Sequence, residues 1–234
     1  MYEQPTYGYA QPQPVAGISS ERRAQFITRT YTHLLAAILG FTAIEVAIFQ
    51  SGLALPIAKA MLGVGWLLVL GGFMVGGWLF SSMAARAETR SMQYVALAGY
   101  VLIEAIIFVP LLVIAEINAP GAIGSAALLT LVGFGALTGI AMTTGKDFTF
   151  MGALLRWFGV GALLLIAGSV IFGFQLGMFF SFAMVMFAGA TILYSTSKVL
   201  RTYPEDRYVS AALELFASVA LMFWYILRIF ASRR

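Results

Sequence analysis

The sequence contains no cysteine and a single histidine, His33. The lack of cysteine excludes disulfides, thiolate metal sites and a cysteine nucleophile. A lone histidine has no second imidazole with which to complete a zinc site. The two aspartates, Asp147 and Asp206, fall in polar connections, and no GxSxG or HExxH arrangement is present. We therefore expect a protein that is not an enzyme and that uses no cofactor or metal.

Charged residues are scarce as well, at 10% of the 234 residues against 61% hydrophobic residues. A soluble globular protein carries about 25% charged residues. Apolar windows of about 20 residues recur, and each can cross a hydrocarbon core about 30 Å thick at about 1.5 Å per residue. The sequence therefore predicts an all-α integral membrane protein whose main partner is the lipid bilayer. Seven spans are expected, at 30–51, 60–80, 92–115, 122–143, 149–172, 176–197 and 208–230.

The chain opens with a polar stretch, MYEQPTYGYAQPQPVAG. Proline, glutamine and glycine offer no periodic apolar face to bury, which is typical of disorder. The stretch also lacks the basic start and apolar core of a signal peptide. We expect a disordered cytosolic tail over residues 1–20 and a seven-helix transmembrane domain over residues 21–234.

The distribution of lysine and arginine predicts the orientation, because these residues accumulate on the cytosolic side of a membrane. With seven spans, nine of the fourteen basic residues lie on the side of the N-terminus: Arg22, Arg23, Arg29, Arg86, Arg90, Lys146, Lys198, Arg201 and Arg207. The N-terminus is therefore expected in the cytosol and the C-terminus outside. The closing Ser-Arg-Arg opposes this rule locally, and a seventh segment that re-enters the membrane would remove the conflict. Because the basic residues form no surface stripe, the net charge of +4 does not indicate nucleic-acid binding.

Three pairs of glycines are spaced four residues apart within apolar segments: Gly72 and Gly76, Gly135 and Gly139, and Gly173 and Gly177. Small residues let two membrane helices approach closely. Packing within the chain and packing between two copies both remain open, so the oligomeric state is not predicted.

Glu45, Glu104 and Glu214 lie inside the expected spans. A charge at the centre of a bilayer costs at least about 2.5 to 3.5 kcal/mol, so such residues normally face the interior of a helix bundle. A neutral glutamic acid hydrogen-bonded to a neighbouring helix would satisfy this requirement. The alternative is that the three glutamates line an ion path, and Glu214 is also close enough to the membrane surface to snorkel.

Two segments resemble the last two spans of the Bax inhibitor family, namely ILYSTSKVLR at 192–201 and RYVSAALELFASVALMFWYILRIF at 207–230. GKDFTFMGALL at 145–155 is similar to the short loop and the start of the fifth span in that family. The terminal FASR is most similar to the bacterial YccA-like branch. The resemblance implies a bundle whose seventh helix is central, in the bacterial inner membrane.

The resemblance also implies two functions, either a modulator of a membrane-bound AAA protease of the FtsH type or a passive leak for calcium ions or protons. In channel-like members, two aspartates in the sixth and seventh spans pair as a latch that senses acid. The corresponding positions here hold Ser195 and Ser218, and the second span contains no basic residue that could act as a latch partner. Serine does not titrate, which argues against a leak gated by acid. We favour the protease modulator on the resemblance to the YccA-like branch and retain the leak as the alternative. The candidate residues along a polar path are Glu45, Glu104, Glu214, Ser195 and Ser218.

Overall fold

The computed structural model describes residues 13–232. Over this range the chain is helical, with no β-strand among the described residues. The α-helices are α1 (Ser20–Gln50), α2 (Ala54–Val64), α3 (Trp66–Arg86), α4 (Arg90–Asn118), α5 (Ala122–Thr143), α6 (Gly152–Phe172), α7 (Met178–Arg201) and α8 (Tyr208–Ala231). Short 3-10 helices form at Val15–Gly17 and Thr149–Met151.

All of the α-helices except α2 are long and apolar enough to cross a membrane, which confirms the predicted all-α class and the seven candidate spans. The expected second span, 60–80, differs from the structure because it combines the end of α2 with most of α3. Gly65 separates the two helices with φ of +102°, a conformation that costs glycine little. Helix α2 has 11 residues, about 16 Å of helix, which is too short to span the hydrocarbon core. Hydropathy could not reveal the break, because the residues on both sides of Gly65 are apolar.

Helix α8 is the most deeply buried element. In its most apolar window 72% of the residues are buried, against 6% for α3 and for α6. It packs against α1, α3, α4, α5 and α7, whereas α6 contacts chiefly α7. It runs without a break over 24 residues, about 36 Å of helix, so its length favours a full span over a re-entrant segment.

Aromatic rings fill the middle of the bundle between α1, α4 and α8. The Phe108 ring stacks on Phe223 with centroids 5.4 Å apart, and it meets Phe41 edge-on at 5.1 Å. Trp224 contacts Phe108 from another side at 5.0 Å. Aromatic pairs of this kind contribute about 0.5 to 1.5 kcal/mol each beyond the area they bury. The centre of the protein is therefore a packed core.

Hydrogen bonds between segments that are distant in sequence join several of the connections between helices at one end of the bundle. Arg207 donates to the carbonyl of Ala85 at 2.7 Å, and Arg201 donates to the carbonyl of Gly145 at 2.6 Å. These contacts join the connections α3–α4, α5–α6 and α7–α8. We call this end, which carries most of the lysine and arginine side chains, the basic end.

The chain before α1 also packs on the basic end. Val15 is fully buried, and its backbone N–H donates to the carbonyl of Tyr203 at 2.9 Å. Arg22 in the first turn of α1 forms an ion pair with Glu205 at 3.2 Å. Within the tail predicted over residues 1–20, Val15 and Ile18 are buried apolar side chains, and α1 begins at Ser20. Residues 1–12 of that predicted tail lie outside the described residues.

The three glycine pairs differ in what surrounds them. A Cβ atom added to Gly76 would lie 3.3 Å from Ile103 Cδ1 on α4, so this glycine serves packing within the chain. Gly135 and Gly139 face open space. The third pair lies between two helices, because Gly173 caps the end of α6 with φ of +72° and Gly177 precedes α7.

Candidate functional site at the basic end

The two serines at the latch positions are in contact. Ser195 Oγ on α7 lies 3.1 Å from Ser218 Oγ on α8, and both residues are buried. The Ser218 hydroxyl also lies 3.1 Å from the carbonyl oxygen of Glu214, to which it can donate. The two positions that the resemblance paired are therefore adjacent, but neutral hydroxyl groups occupy them.

Glu214 makes an ion pair that was not predicted. Lys198 Nζ on α7 lies 2.9 Å and 3.1 Å from the two carboxylate oxygens of Glu214, and the Tyr203 hydroxyl donates to the same carboxylate at 2.5 Å. The Lys198 side chain is 36% exposed and that of Glu214 is 20% exposed. Lys198 lies three residues before the end of α7, so the pair lies at the basic end. The pairing explains how α8 tolerates an acidic residue without the snorkelling that was considered for Glu214.

The sequence did contain a signal for this ion pair. Lys198 follows Ser195 by three residues on α7, and Glu214 precedes Ser218 by four residues on α8. Residues three or four apart share one face of a helix. Once the two serines are placed in contact, Lys198 and Glu214 are therefore brought together one helical turn from the serine pair.

Tyr203 links the ion pair to the N-terminal segment. Its hydroxyl donates to Glu214, while its carbonyl accepts from the N–H of Val15. Burial, followed by the nearby Glu214 carboxylate, raises the pKa of Tyr203 well above its ordinary value. The phenol therefore remains a protonated donor at neutral pH, and the Tyr203 backbone is held by the segment around Val15.

Asp147 fastens the α5–α6 connection to α7. Its carboxylate accepts from the backbone N–H of Thr149 at 2.8 Å and from the Thr149 hydroxyl at 2.7 Å. Arg201 lies 3.8 Å away, and Ser197 donates at 3.4 Å. The bonds from Thr149 act first and Arg201 next to lower the pKa of the Asp147 carboxyl. Asp147, which the sequence placed in a loop, is therefore an ionised side chain that holds this connection against α7.

A second group of hydroxyls lies close to the serine pair and was also missed. The side chains of Thr138 on α5 and Thr196 on α7 lie close enough to the Tyr31 hydroxyl on α1 for weak interaction. None of the three makes a well-aligned hydrogen bond with another described residue. Thr196 directly follows Ser195, so polar side chains from four helices gather in this region.

The remaining two candidates lie on other helices and are not among the contacts of this cluster. Glu104 is buried on α4, 5% exposed, and interacts with Tyr100 one turn earlier on the same helix. Glu45 is buried on α1, and both of its carboxyl oxygens lack a hydrogen-bond partner within the part of the chain that the structure describes. The structure thus brings together Glu214, Ser195 and Ser218 but not Glu45 or Glu104.

The serine pair is a poor site for a calcium ion. Calcium takes six to eight oxygen ligands and favours carboxylates. The serine pair offers two hydroxyl oxygens, and the one nearby carboxylate is already bound by Lys198. Between residues 13 and 232, no group of three or more histidine or acidic side chains is arranged to hold a metal ion. The arrangement is suited to holding α7 and α8 together.

Comparison with known proteins identifies a family that matches nearly the whole chain and a relative that matches about half of it. The profile of the family described as "Inhibitor of apoptosis-promoting Bax1" matches residues 23–234. The uncharacterized protein PA2604 of Pseudomonas aeruginosa strain PAO1 is 34% identical over 116 residues. That alignment covers 48% of this chain and 51% of PA2604, so the matched region spans about half the length of this curated relative.

Proposed function

Because the chain belongs to the Bax inhibitor family, we propose that it modulates a membrane-bound AAA protease of the FtsH type, as its resemblance to the YccA-like branch implies. In this proposal the protein lies in the bacterial inner membrane with its N-terminus and basic end in the cytosol. The protein slows the degradation of other membrane proteins by occupying the protease. It performs no chemistry on a substrate.

The observation that supports this choice is the Lys198–Glu214 ion pair beside the serine pair. The pair engages the carboxylate one turn from the serines, so that carboxylate is not free to bind calcium. A regulator that binds a protease needs a stable bundle and no open path. The packed aromatic rings and the hydrogen bonds that join the connections at the basic end support a stable bundle.

The position of the N-terminal segment provides the point of engagement in this proposal. Val15 is anchored on Tyr203 at the basic end, and the sequence of residues 1–12 that precedes this segment is polar. Exposed polar termini are the sites at which proteases most readily engage a chain. An AAA protease would bind residues 1–12, and the packed bundle that follows them would keep the protease bound.

Reconstitution of the purified protein with the protease and a separate membrane substrate in liposomes tests the proposal. We expect the protein to cross-link to the protease and to slow turnover of the substrate. Deletion of residues 2–12, which leaves the Val15 anchor in place, should lengthen the lifetime of the protein itself. A variant carrying glycine and serine over the same 11 positions separates the effect of sequence from that of length. Unchanged substrate turnover together with no cross-link would contradict the proposal.

A passive leak of protons or calcium ions is the second candidate. The hydroxyls of Tyr31, Thr138 and Thr196, which lack well-aligned partners among the described residues, favour it because unpaired buried polar groups attract water or ions. Ion-loaded liposomes provide the test. A flux that is lost in Thr196→Val but kept in Thr191→Val, a control on the same helix, would support the leak over the regulator.

A further inference from the structure

A separate cavity opens in the half of the bundle away from the basic end. It lies between α1, α4, α5 and α8 and has a volume of about 430 Å³, within the range of about 300 to 1,000 Å³ usual for small-molecule sites. Its lining is mostly apolar and includes Ile38, Leu112, Ala127, Phe216 and Phe223. We call this cavity the α1/α5 pocket.

Two acidic residues line the α1/α5 pocket. Glu45 is 7% exposed, and neither of its carboxyl oxygens has a hydrogen-bond partner among residues 13–232. Glu116 also lines the pocket and is exposed, two residues before the end of α4. Glu45 lies five residues before the end of α1. This places it about 7.5 Å from that end along the helix axis. The pocket therefore has one carboxyl group near its rim and one in its interior.

The other polar groups of the lining are already satisfied. Thr42 donates to the carbonyl of Ile38 at 2.9 Å, and Thr130 donates to the carbonyl of Ala126 at 2.7 Å. A buried polar group without a partner costs about 1 to 3 kcal/mol, so such a group in a native protein calls for an explanation, of which a bound ion is one. Among the polar groups of the lining, the buried carboxyl of Glu45 is thus the one that a bound hydrogen-bond donor or cation would satisfy.

We propose that the α1/α5 pocket binds an amphiphilic organic cation, a protonated amine on an apolar body, with the ammonium group at Glu45. The apolar body would lie along Phe216 and Phe223 of α8, where the apolar lining is poorly suited to a hydrated ion. A bare divalent cation fits poorly, because it needs six or more oxygen ligands. A neutral acyl chain would fill the volume but would leave Glu45 without a partner. This site is independent of the proposed protease interaction, since it lies away from the basic end.

Binding of decylamine and decanol to the protein in nanodiscs of zwitterionic lipid tests the proposal. Equilibrium dialysis with labelled compounds measures binding, and empty nanodiscs correct for partition into lipid. The two compounds share a chain length and differ in charge. We expect saturable binding of decylamine at one molecule per chain, at least about tenfold tighter than that of decanol, because a hydrogen bond to a charged group contributes about that much.

Substitutions locate the site. Glu45→Gln should reduce the affinity for decylamine to that for decanol, whereas Glu88→Gln, in the exposed α3–α4 connection, should leave both affinities unchanged. Ala127→Phe should weaken the binding of both compounds by filling the cavity, which keeps the test decisive if Glu45→Gln does not fold. Equal affinities for amine and alcohol would overturn the proposal in favour of a groove for acyl chains. An absence of saturable binding, or loss of the amine preference in Glu116→Gln but not in Glu45→Gln, would also overturn it.

Discussion

Ser195 Oγ and Ser218 Oγ lie 3.1 Å apart between α7 and α8, at the two positions where channel-like relatives are expected to carry aspartates. Two carboxylates in contact share a proton and change state together with pH, whereas two hydroxyls do not titrate. Calcium flux through the reconstituted protein, if measurable, should therefore vary less than about twofold between about pH 6 and pH 8. The double change Ser195→Asp, Ser218→Asp should create a pH-dependent flux.

Glu214 provides the control for this prediction, because it lies one turn from Ser218 and is itself titratable. The flux of Glu214→Gln should resemble that of the parent at each pH. A steep pH dependence that persists in Glu214→Gln would show that some other group senses acid and would contradict the prediction.

Lys198 and Glu214 should be energetically coupled. Replacing Lys198 by Met leaves the partly buried carboxylate without its cation and should lower the free energy of unfolding by about 1 to 3 kcal/mol, the usual contribution of hydrogen bonds to charged groups. Replacing both residues, by Lys198→Met and Glu214→Leu, should cost less than the sum of the single changes. Unfolding in mixed micelles measures each variant, and additive single changes would refute the coupling.

Gly99 on α4 should not tolerate alanine. A Cβ atom at this position would overlap the ring of Phe80 on α3, so the ring or the helix must move. Overpacking of this kind costs about 1 to 3 kcal/mol. Thermal unfolding in detergent should show the loss, and adding Phe80→Leu should recover part of it. Gly139→Ala is the matched control, since a Cβ atom there meets open space, and an equal loss in that variant would contradict the explanation.

The chain has no native cysteine, so its topology can be mapped with single cysteine substitutions. Glu88→Cys and Lys146→Cys mark the basic end, and Ser51→Cys and Pro120→Cys mark the opposite end. If lysine and arginine place the basic end in the cytosol, a membrane-impermeant maleimide should label the first pair in inverted vesicles only. The second pair should be labelled in right-side-out vesicles only, and the reverse pattern would overturn the proposed orientation.

Asp147 should stabilise the fold at neutral pH but not in strong acid. Its folded pKa is lowered below the ordinary 3.8, so the ionised form favours the folded state. The stabilisation is complete above the unfolded pKa and is lost as pH falls through the folded pKa. Asp147→Asn should therefore lower the melting temperature at pH 7, and the difference from the parent should shrink below about pH 3.8. A difference of the same size at both pH values would contradict this account.

The sequence by itself determined the membrane class, the all-α architecture and the seven long apolar helices. These properties depend on the length and hydropathy of contiguous segments, which can be read without knowing what packs against them. It also identified Ser195 and Ser218 as a pair, through resemblance to relatives.

Only the tertiary structure decided how distant side chains meet. The ion pair of Lys198 with Glu214 and the anchoring of Val15 on Tyr203 depend on which faces of separate helices pack together. The same holds for the carboxyl of Glu45, which has no partner among the described residues. Arg22 and Glu205, 183 residues apart, form an ion pair that no local pattern specifies. Because lipid is as apolar as leucine, hydropathy does not show which face of a membrane helix is buried. Close packing of the helices makes that choice, and with it decides which polar groups gain partners.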